Sequence, residues 1–305
     1  MFDKFKNRLE ITGILTTITA LRISAGRSSE PIGSDLPVIK DALGNPLIPG
    51  SSFKGALRSR LESFLRGINP NFAANPAIEA EWSITNERLN GRNGIKEEVE
   101  EELKQYPDNE RNRIRDQLLT DKIIDETDLI SRLFGSPWIA SKFQVRDLTV
   151  VSDSWFGQYQ ERDGVAIDRD TETAADGKLY DFQVVPASTQ FEFKAVVENA
   201  KPWELGLLMI GLHQFETEQI PLGGGRSRGL GVVKLEIGKM RWFDVNNDPE
   251  KLLTYLQELV SSNTTDDISS YEDGQQLKQD WTHALINHLR DNITNSSTVK
   301  AIHNS

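Results

Sequence analysis

No cysteine occurs anywhere in the chain, and histidine is scarce, with four residues in 305. The absence of cysteine excludes disulfides, thiolate metal sites and a thiol nucleophile, and it is consistent with a reducing compartment. The four histidines are His213, His283, His288 and His303. No two of them have the spacing of zinc ligands, which argues against a His-ligated metal site.

Long apolar runs are also missing. No stretch approaches the ~18–20 apolar residues that a membrane span needs. The first residues, MFDKFKNRLEITG, lack the apolar core of a secretory signal peptide. The sequence therefore predicts a cytoplasmic protein without a membrane partner. Its length of 305 residues, 37% of them hydrophobic, suffices for one large or two ordinary domains.

Positive charge is scarce over the whole chain but not at its beginning. The formal net charge is −11, which taken alone argues against nucleic acid as a partner. Residues 1–66, however, carry 10 Lys and Arg against 6 Asp and Glu, whereas residues 67–130 carry 8 against 15 and residues 131–305 carry 17 against 25. This distribution allows a local basic groove on an acidic protein.

Hydrophobic periodicity predicts an alternation of strands and helices. The predicted order is strand, helix, strand, one or two strands, helix, strand, carried by the segments RLEITGILTTITALRIS, FKGALRSRLESFL, KFQVRDLTVVSDSWF, FQVVPASTQFEFKAVVEN, PWELGLLMIGLHQF and LGVVKLEIGKM. This β-α-β-β-α-β order is typical of a ferredoxin-like α+β fold. The same scaffold, a four-stranded sheet with two helices on one face, occurs in many RNA-binding proteins of the RRM type.

Three segments interrupt or follow this order. Residues 67–130 combine an Asn/Pro-rich loop with charged helical stretches and are predicted to be an acidic helical insertion. Residues 156–181 are a polar excursion rich in Gly and Asp, and residues 241–305 are predicted to be a helical C-terminal extension. The predicted core therefore consists of residues 1–66 and 131–240.

A glycine-rich loop precedes the last predicted strand. Gly223, Gly224 and Gly225 allow a backbone conformation whose successive N–H groups form an anion site. Arg226 and Arg228 add forked donors suited to phosphate. The loop is neither a P-loop nor a Rossmann fingerprint, because no GK[ST] follows and a strand rather than a helix comes next. A wide turn without a ligand is the alternative interpretation.

The start of the first predicted helix is a second candidate anion site. Ser51 and Ser52 are candidate N-cap residues, and Lys54 and Arg58 lie one turn apart behind them. A helix N-terminus presents free N–H groups and the positive end of the helix dipole. An ordinary capped helix with a solvated lysine is the alternative. Two anion-binding loops on one small sheet domain favour a polyanion over a single phosphate.

One carboxylate stands out in the loop that follows the first strand. Asp35 lies in EPIGSDLPV between Gly33 and Pro37. A lone loop aspartate is more often a turn residue than a functional one. Asp41 and Asp147 are its competitors for a functional role.

Several fragments in a fixed order resemble one protein family. GSDLPVIKDALGNPLIPGSSFKGALRSRLE, RLFG, VVPASTQFEF and PLGGGRSRGLGVVKLE are together similar to the repeat-associated (RAMP) backbone subunits of type III CRISPR–Cas effector complexes. The similarity covers roughly residues 9–66 and 131–240 and leaves the acidic insertion and the C-terminal extension outside.

This resemblance implies an RRM-like palm that binds CRISPR guide RNA, with complementary target RNA and other effector subunits as further partners. The glycine-rich loop and the first helix would then lie against the guide backbone. The excursion of residues 156–181 would be a thumb-like hairpin that interrupts the duplex. Trp155, Phe156 and Tyr159 would wedge at a displaced base; their alternative role is as core residues at the base of the hairpin.

The resemblance also implies a catalytic role for Asp35, because an aspartate of the D-x-P-V loop is needed for target cleavage in catalytic members. The reaction is attack by a ribose 2′-OH on the adjacent phosphate, helped by Mg²⁺ or another divalent cation that Asp35 would bind. A non-cleaving scaffold subunit of the same complex is the first alternative, and a stand-alone endoribonuclease of related fold that processes the guide precursor is the second. An enzyme that binds a small phosphate compound is the alternative outside it.

Overall fold

The computed structural model describes residues 4–24, 26, 36–164, 167–168, 173–174, 180–262 and 268–303. In chain order its helices and strands are β1 (Asn7–Thr17), β2 (Leu47–Ile48), α1 (Gly50–Ile68), α2 (Asn86–Asn90), α3 (Ile95–Leu103), α4 (Arg111–Glu126), α5 (Leu129–Phe134), β3 (Phe143–Val145), β4 (Leu148–Thr149), β5 (Gln160–Gly164), β6 (Ile167–Asp168), β7 (Thr173–Ala174), β8 (Tyr180–Val184), β9 (Gln190–Glu198), α6 (Pro202–Glu216), β10 (Val233–Asp244), α7 (Pro249–Ser261), β11 (Glu272–Asp273) and α8 (Lys278–His303).

The central sheet is antiparallel and has the strand order β11-β10-β1-β9-β3. β1 lies in the middle and pairs with both β9 and β10, so that the first core strand separates the third from the fourth. Together with the crossing helices α1 and α6, this order confirms the predicted ferredoxin-like β-α-β-β-α-β fold.

Alternation along β1 separates an apolar face of the sheet from a polar one. Leu9, Ile11 and Leu15 are fully buried, whereas Arg8 and Glu10, on either side of Leu9, lie on the opposite face. The helices α1 and α6 cover the apolar face. The ring of Phe53 in α1 stacks 4.3 Å from that of Phe215 in α6 and lies 4.9 Å from that of Phe193 in β9, so one core holds both helices to the sheet.

The C-terminal extension is part of this core. Trp281, Leu285 and Leu289 of α8 are buried against it, and the ring of Trp281 meets that of Trp242 edge-on at 5.4 Å. α6 is therefore covered by the sheet on one side and by α8 on the other, which explains why it is apolar nearly all round. β10 extends through Asp244, past the predicted end of the core at residue 240.

The predicted insertion contains the helices α2, α3 and α4. Its apolar side chains Ile84, Leu89, Ile95, Val99, Leu103 and Ile123 form a second cluster, which Ile139 joins from beyond residue 130. Phe72 and Ala73, however, join the main core. The insertion is thus a small satellite core attached at both ends to the larger one.

The polar excursion contains antiparallel strand pairs. β5 pairs with β8, and β6 pairs with β7 further out. Residues 165–166, 169–172 and 175–179 of this segment lie outside the described residues. No helix among the described residues is long and apolar enough to cross a membrane.

The expectation that Ser51 or Ser52 caps α1 is wrong. The helix begins at Gly50, and Pro49 occupies the N-cap position without a side-chain hydrogen bond. The carboxylate of Asp147 instead accepts the Gly50 N–H at 2.8 Å, from the turn after β3. A carboxylate supplied from another strand satisfies the helix terminus in place of a local cap.

Candidate nucleic-acid interface

The glycine-rich loop between α6 and β10 passes close to the segment that follows β1. Gly223 has a φ of 73°, and a Cβ there would lie 2.0 Å from the carbonyl oxygen of Arg22. Gly231 has a φ of 86°, and a Cβ there would lie 2.1 Å from the carbonyl oxygen of Leu222. Both conformation and space therefore require glycine at these positions. The Gly224 N–H donates to the same Arg22 oxygen at 2.8 Å, which fixes the loop on its neighbour.

The two loop arginines lie on the surface of a small aromatic and basic group. Arg226 and Arg228 are exposed on one 3₁₀ turn, and Arg228 Nη1 donates to the hydroxyl of Tyr180 at 2.9 Å. The guanidinium of Arg22 lies 4.5 Å from the centroid of the Phe182 ring. The hydrogen bond from Arg228 lowers the pKa of Tyr180. We call these five residues the arginine cluster; it concentrates three cations at the base of the hairpin.

An apolar group beneath the arginine cluster, made of Ala20, Phe182, Val184 and Leu230, holds Leu36 in place. Leu36 forms a parallel bridge with Phe182, and its carbonyl oxygen accepts the Gln183 N–H at 3.1 Å. Its side chain packs against this group. Asp35 itself lies outside the described residues; it directly precedes Leu36 in the chain.

The two competing aspartates have structural partners. Asp41 Oδ1 accepts the backbone N–H groups of Leu43 and Asn45 at 2.9 and 2.8 Å, as expected of a turn aspartate. These backbone hydrogen bonds, that from Asn45 foremost, lower the pKa of Asp41. Asp147 accepts from the first residue of α1, Gly50. Each carboxylate is thus engaged in holding the backbone.

The cations of α1 contact a different part of the chain. Lys54 Nζ donates to Ser141 Oγ at 2.6 Å, and Arg58 donates to the Gly135 carbonyl at 3.1 Å and to Ser131 Oγ at 3.3 Å. Burial, together with the nearby charge of Arg58, lowers the pKa of Lys54. These side chains hold α1 to the Ser131–Ser141 segment, so the structure places them in a separate group from Arg226 and Arg228. Ser51 is exposed at the start of the helix and Ser52 is half-buried.

The three aromatic residues predicted at the thumb lie before β5, at the base of the hairpin. Trp155 is half-buried, and its ring lies 4.9 Å from that of Tyr159 and 6.0 Å from that of Phe156. Tyr159 is held by a hydrogen bond of 2.6 Å to the Gly44 carbonyl and by Lys40 Nζ over its ring; burial raises its pKa to about 12. Phe156 differs from the other two, because 70% of it is exposed.

Sequence reasoning missed Arg22 and Tyr180. Leu21 and Ile23 are buried while Arg22 between them is only half-buried, so alternation after β1 was a usable signal for an outward-facing arginine. Tyr180 carries no such signal, because its contact with Arg228 joins residues 48 positions apart. Among the described residues, no group of three or more His, Cys, Asp and Glu could hold a metal ion.

Comparison with known proteins gives one family and several relatives. The model of the RAMP superfamily matches residues 14–234. A protein named CRISPR system Cms endoribonuclease Csm3 from Enterococcus italicus is 25% identical over 234 residues, 76% of this chain and 91% of that protein. A protein of the same name from Mycobacterium tuberculosis is 39% identical over 95 residues, 28% of this chain and 39% of that protein. Another from Methanocaldococcus jannaschii is 43% identical over 58 residues, 19% of this chain and 23% of that protein.

Proposed function

The chain belongs to the RAMP superfamily, and from this membership we propose that it is a guide-RNA-binding backbone subunit of a type III CRISPR effector complex. We propose further that it cleaves the bound target RNA through Asp35. Relatives named as CRISPR endoribonucleases support both steps.

The arginine cluster is the observation that carries the binding proposal. It is basic on a chain of net charge −11, and Arg226 and Arg228 are exposed on a loop that its glycines fix against the backbone of Arg22. Arginine forks bind phosphate oxygens in pairs, and they do so without regard to base sequence. A backbone subunit needs this kind of contact, since it must bind guides of any sequence.

Replacement of Arg226 and Arg228 by alanine tests the binding proposal. Because each lost phosphate contact removes one released counterion, we expect the slope of log affinity against log salt to fall by about 1.4 for single-stranded RNA. The loss should be similar for RNAs of different sequence. Arg92→Ala with Arg113→Ala, two exposed arginines of the insertion, makes the same charge change as a control. An unchanged slope in the loop variant would remove the arginine cluster from the RNA interface.

The cleavage proposal rests on the position of Leu36 and on the exclusion of the competitors. Leu36, which directly follows Asp35 in the chain, packs on the apolar group beneath the arginine cluster, so a phosphate on that cluster would be near Leu36. In the reaction the 2′-oxygen forms a bond to phosphorus and loses its proton, the bond from phosphorus to the 5′-oxygen breaks, and that oxygen takes a proton. A carboxylate can accept the first proton or orient a cation beside it.

A divalent cation at this site would need ligands beyond Asp35. The described residues contain no group of three or more candidate ligands, so phosphate oxygens of the RNA and water would complete the coordination. Mg²⁺ suits such a site, because it commonly keeps several waters and binds through few protein carboxylates.

Asp35→Asn in the assembled complex tests the cleavage proposal. We expect target cleavage to slow by ~10²-fold or more at saturating Mg²⁺, in the range of a lost general base, while guide and target affinity stay unchanged. Asp41→Asn is the matched control and should cleave normally. If Asp35→Asn cleaves like the parent, the subunit is a scaffold.

A further inference from the structure

A cavity of about 440 Å³ lies between α1, the segment Asp128–Ser141 and the insertion. We propose that this cavity binds an unstacked nucleobase of the RNA that α1 contacts. The proposal rests on the proposed function and adds a base-binding site to it. The volume falls within the roughly 300–1,000 Å³ of small-molecule pockets.

Two tryptophans supply aromatic walls. Trp82 and Trp138 both line the cavity and are half-buried. Each indole N–H is tied to a backbone carbonyl, that of Trp82 to Pro76 at 3.1 Å and that of Trp138 to Ile84 at 2.8 Å. The rings are therefore fixed in place, as a stacking surface for a base requires.

A donor and an acceptor converge on the same wall. Arg58 donates to Glu62, Gly135 and Ser131, so contacts among the described residues use three of its five N–H groups and leave two for a ligand. Asp128 accepts the Ser131 N–H at 3.0 Å and, with its other oxygen, the hydroxyl of Ser83, so each carboxylate oxygen keeps one further acceptor position. Because both side chains contact Ser131, donor and acceptor lie close together. Nucleobase edges carry donors and acceptors side by side, which matches this arrangement.

Charge favours a base over a phosphate in this cavity. The charged side chains that line the cavity are Arg58 and Asp128, whose opposite charges offset each other, and Asp128 is largely buried. A cavity without net positive charge attracts a phosphate only weakly and suits a neutral base. Arg58 alone offers a positive charge, and Glu62 already pairs with it at 2.7 Å.

The cavity shares residues with the proposed path of the RNA. Arg58 lines it and lies one turn after Lys54 on α1. Ser141, which accepts the hydrogen bond of Lys54, also lines it. The turn that brings Ser141 to this place depends on Gly135, where a Cβ would lie 2.9 Å from the Ser141 nitrogen. An RNA strand bound at the start of α1 would therefore pass beside the cavity.

The test measures binding of a fluorescein-labelled single-stranded RNA of mixed sequence to the full chain, by anisotropy over a series of salt concentrations. Trp82→Leu should weaken binding by roughly 5- to 150-fold, the loss for one stacked base, with the salt slope unchanged because no phosphate contact is lost. Trp82→Phe should retain most of the affinity. Tyr106→Leu, an exposed aromatic residue elsewhere in the insertion, should bind like the parent.

A second variant, designed to fill the cavity, tests the proposal even if Trp82→Leu misfolds. Ala140 is exposed and lines the cavity, so Ala140→Trp should occupy the space and weaken binding without removing a wall. The inference is overturned if Trp82→Leu and Ala140→Trp bind like the parent while the Arg226 and Arg228 variant loses its salt slope. A changed salt slope in Trp82→Leu would also overturn it, because the cavity would then hold a phosphate. If Trp82→Leu, Ala140→Trp and the Arg226 and Arg228 variant all bind like the parent, this inference and the proposed function both fail.

Discussion

A buried ion pair joins Lys142, directly before β3, to Glu204 in the first turn of α6. Lys142 Nζ lies 2.7 and 2.6 Å from the two carboxylate oxygens, with side-chain exposures of 7% and 1%. Glu204 also accepts the Lys201 N–H at 2.7 Å, at the start of α6. Burial lowers the pKa of Lys142 although Glu204 opposes the change. Each charge is thus stable inside only because the other is present.

Removal of one partner should be costly. Lys142→Met leaves a carboxylate buried without a cation, and we expect the free energy of unfolding in urea to fall by ~3–5 kcal/mol. Lys142→Met combined with Glu204→Gln should recover much of this loss, because no unpaired charge remains. If the two substitutions are simply additive, the ion pair does not couple these residues.

Glu10 should make stability depend on pH. Burial alone would raise its pKa, but the hydrogen bond and charge of Arg8, together with Tyr271 and Arg241, outweigh burial and lower it. A lowered native pKa means that stability is present above the unfolded value of ~4.3 and is lost as pH falls through the native value. Glu10→Gln should therefore destabilise the protein at neutral pH and make little difference in strong acid. Glu236→Gln, an exposed residue of β10, is the control in urea unfolding at both pH values.

At the scale of elements, the contact between α6 and α8 depends on one missing side chain. A Cβ at Gly206 would lie 2.1 Å from the backbone oxygen of Trp281. A backbone oxygen cannot move away by a change of rotamer, as a side chain can. α8 would therefore have to shift as a whole, away from the core in which Trp281 is buried.

Two glycine substitutions in helices should thus have opposite effects. We expect Gly206→Ala to lower the free energy of unfolding by ~1–3 kcal/mol, as overpacked cores do. Gly55→Ala in α1 meets nothing within 4 Å and should raise stability by up to ~1 kcal/mol, since alanine is the better helix former. Thermal unfolding of both variants checks this. Stabilisation by Gly206→Ala would show that α8 packs against Gly206 more loosely than the distance to the Trp281 oxygen indicates.

The local sequence pattern was sufficient to predict the elements whose burial repeats regularly along the chain. The periodicity of α1 and β1 follows from one buried face each, whereas α6 is apolar nearly all round. The prediction of the family is confirmed by the match over residues 14–234. The single strand predicted over KFQVRDLTVVSDSWF is wrong: the chain forms β3, β4 and a 3₁₀ turn. Asp147 leaves the strand there to bind the start of α1, 97 positions earlier, and no periodicity encodes such a contact. The candidate site shows the same limit, because the loop arginines were predictable from composition whereas their partner Tyr180 was not.

At the scale of the whole molecule, the insertion and the main core share more packing contacts than their difference in net charge indicates. We keep the division into residues 67–130, the core and the extension 241–305 as a proposal. Trp138 packs against the insertion cluster and Ile139 belongs to it, although both lie beyond residue 130. Phe72 in turn belongs to the main core although it lies within the insertion.

Two deletions should therefore differ in stability. Replacement of residues 68–128 by a short Gly/Ser linker removes Phe72 and Ala73 from the main core, and we expect it to lower the urea midpoint strongly. Replacement of residues 76–126 keeps both side chains, together with the carbonyl of Ala73 that accepts from Arg66 at 2.9 Å, and should retain cooperative unfolding. Equal midpoints would show that Phe72 and Ala73 contribute nothing to the core.

The central place of β1 has a consequence for synthesis on the ribosome. β1 ends at residue 17, and its partners β9 and β10 begin at residues 190 and 233. At ~5–20 residues per second, the nascent chain must carry an unpaired, half-apolar strand for roughly 10–35 s before β9 is made. The insertion cluster, confined to residues 84–139, has all its partners much earlier. We expect the acidic segment to be ordered first while both edges of β1 remain open to other chains.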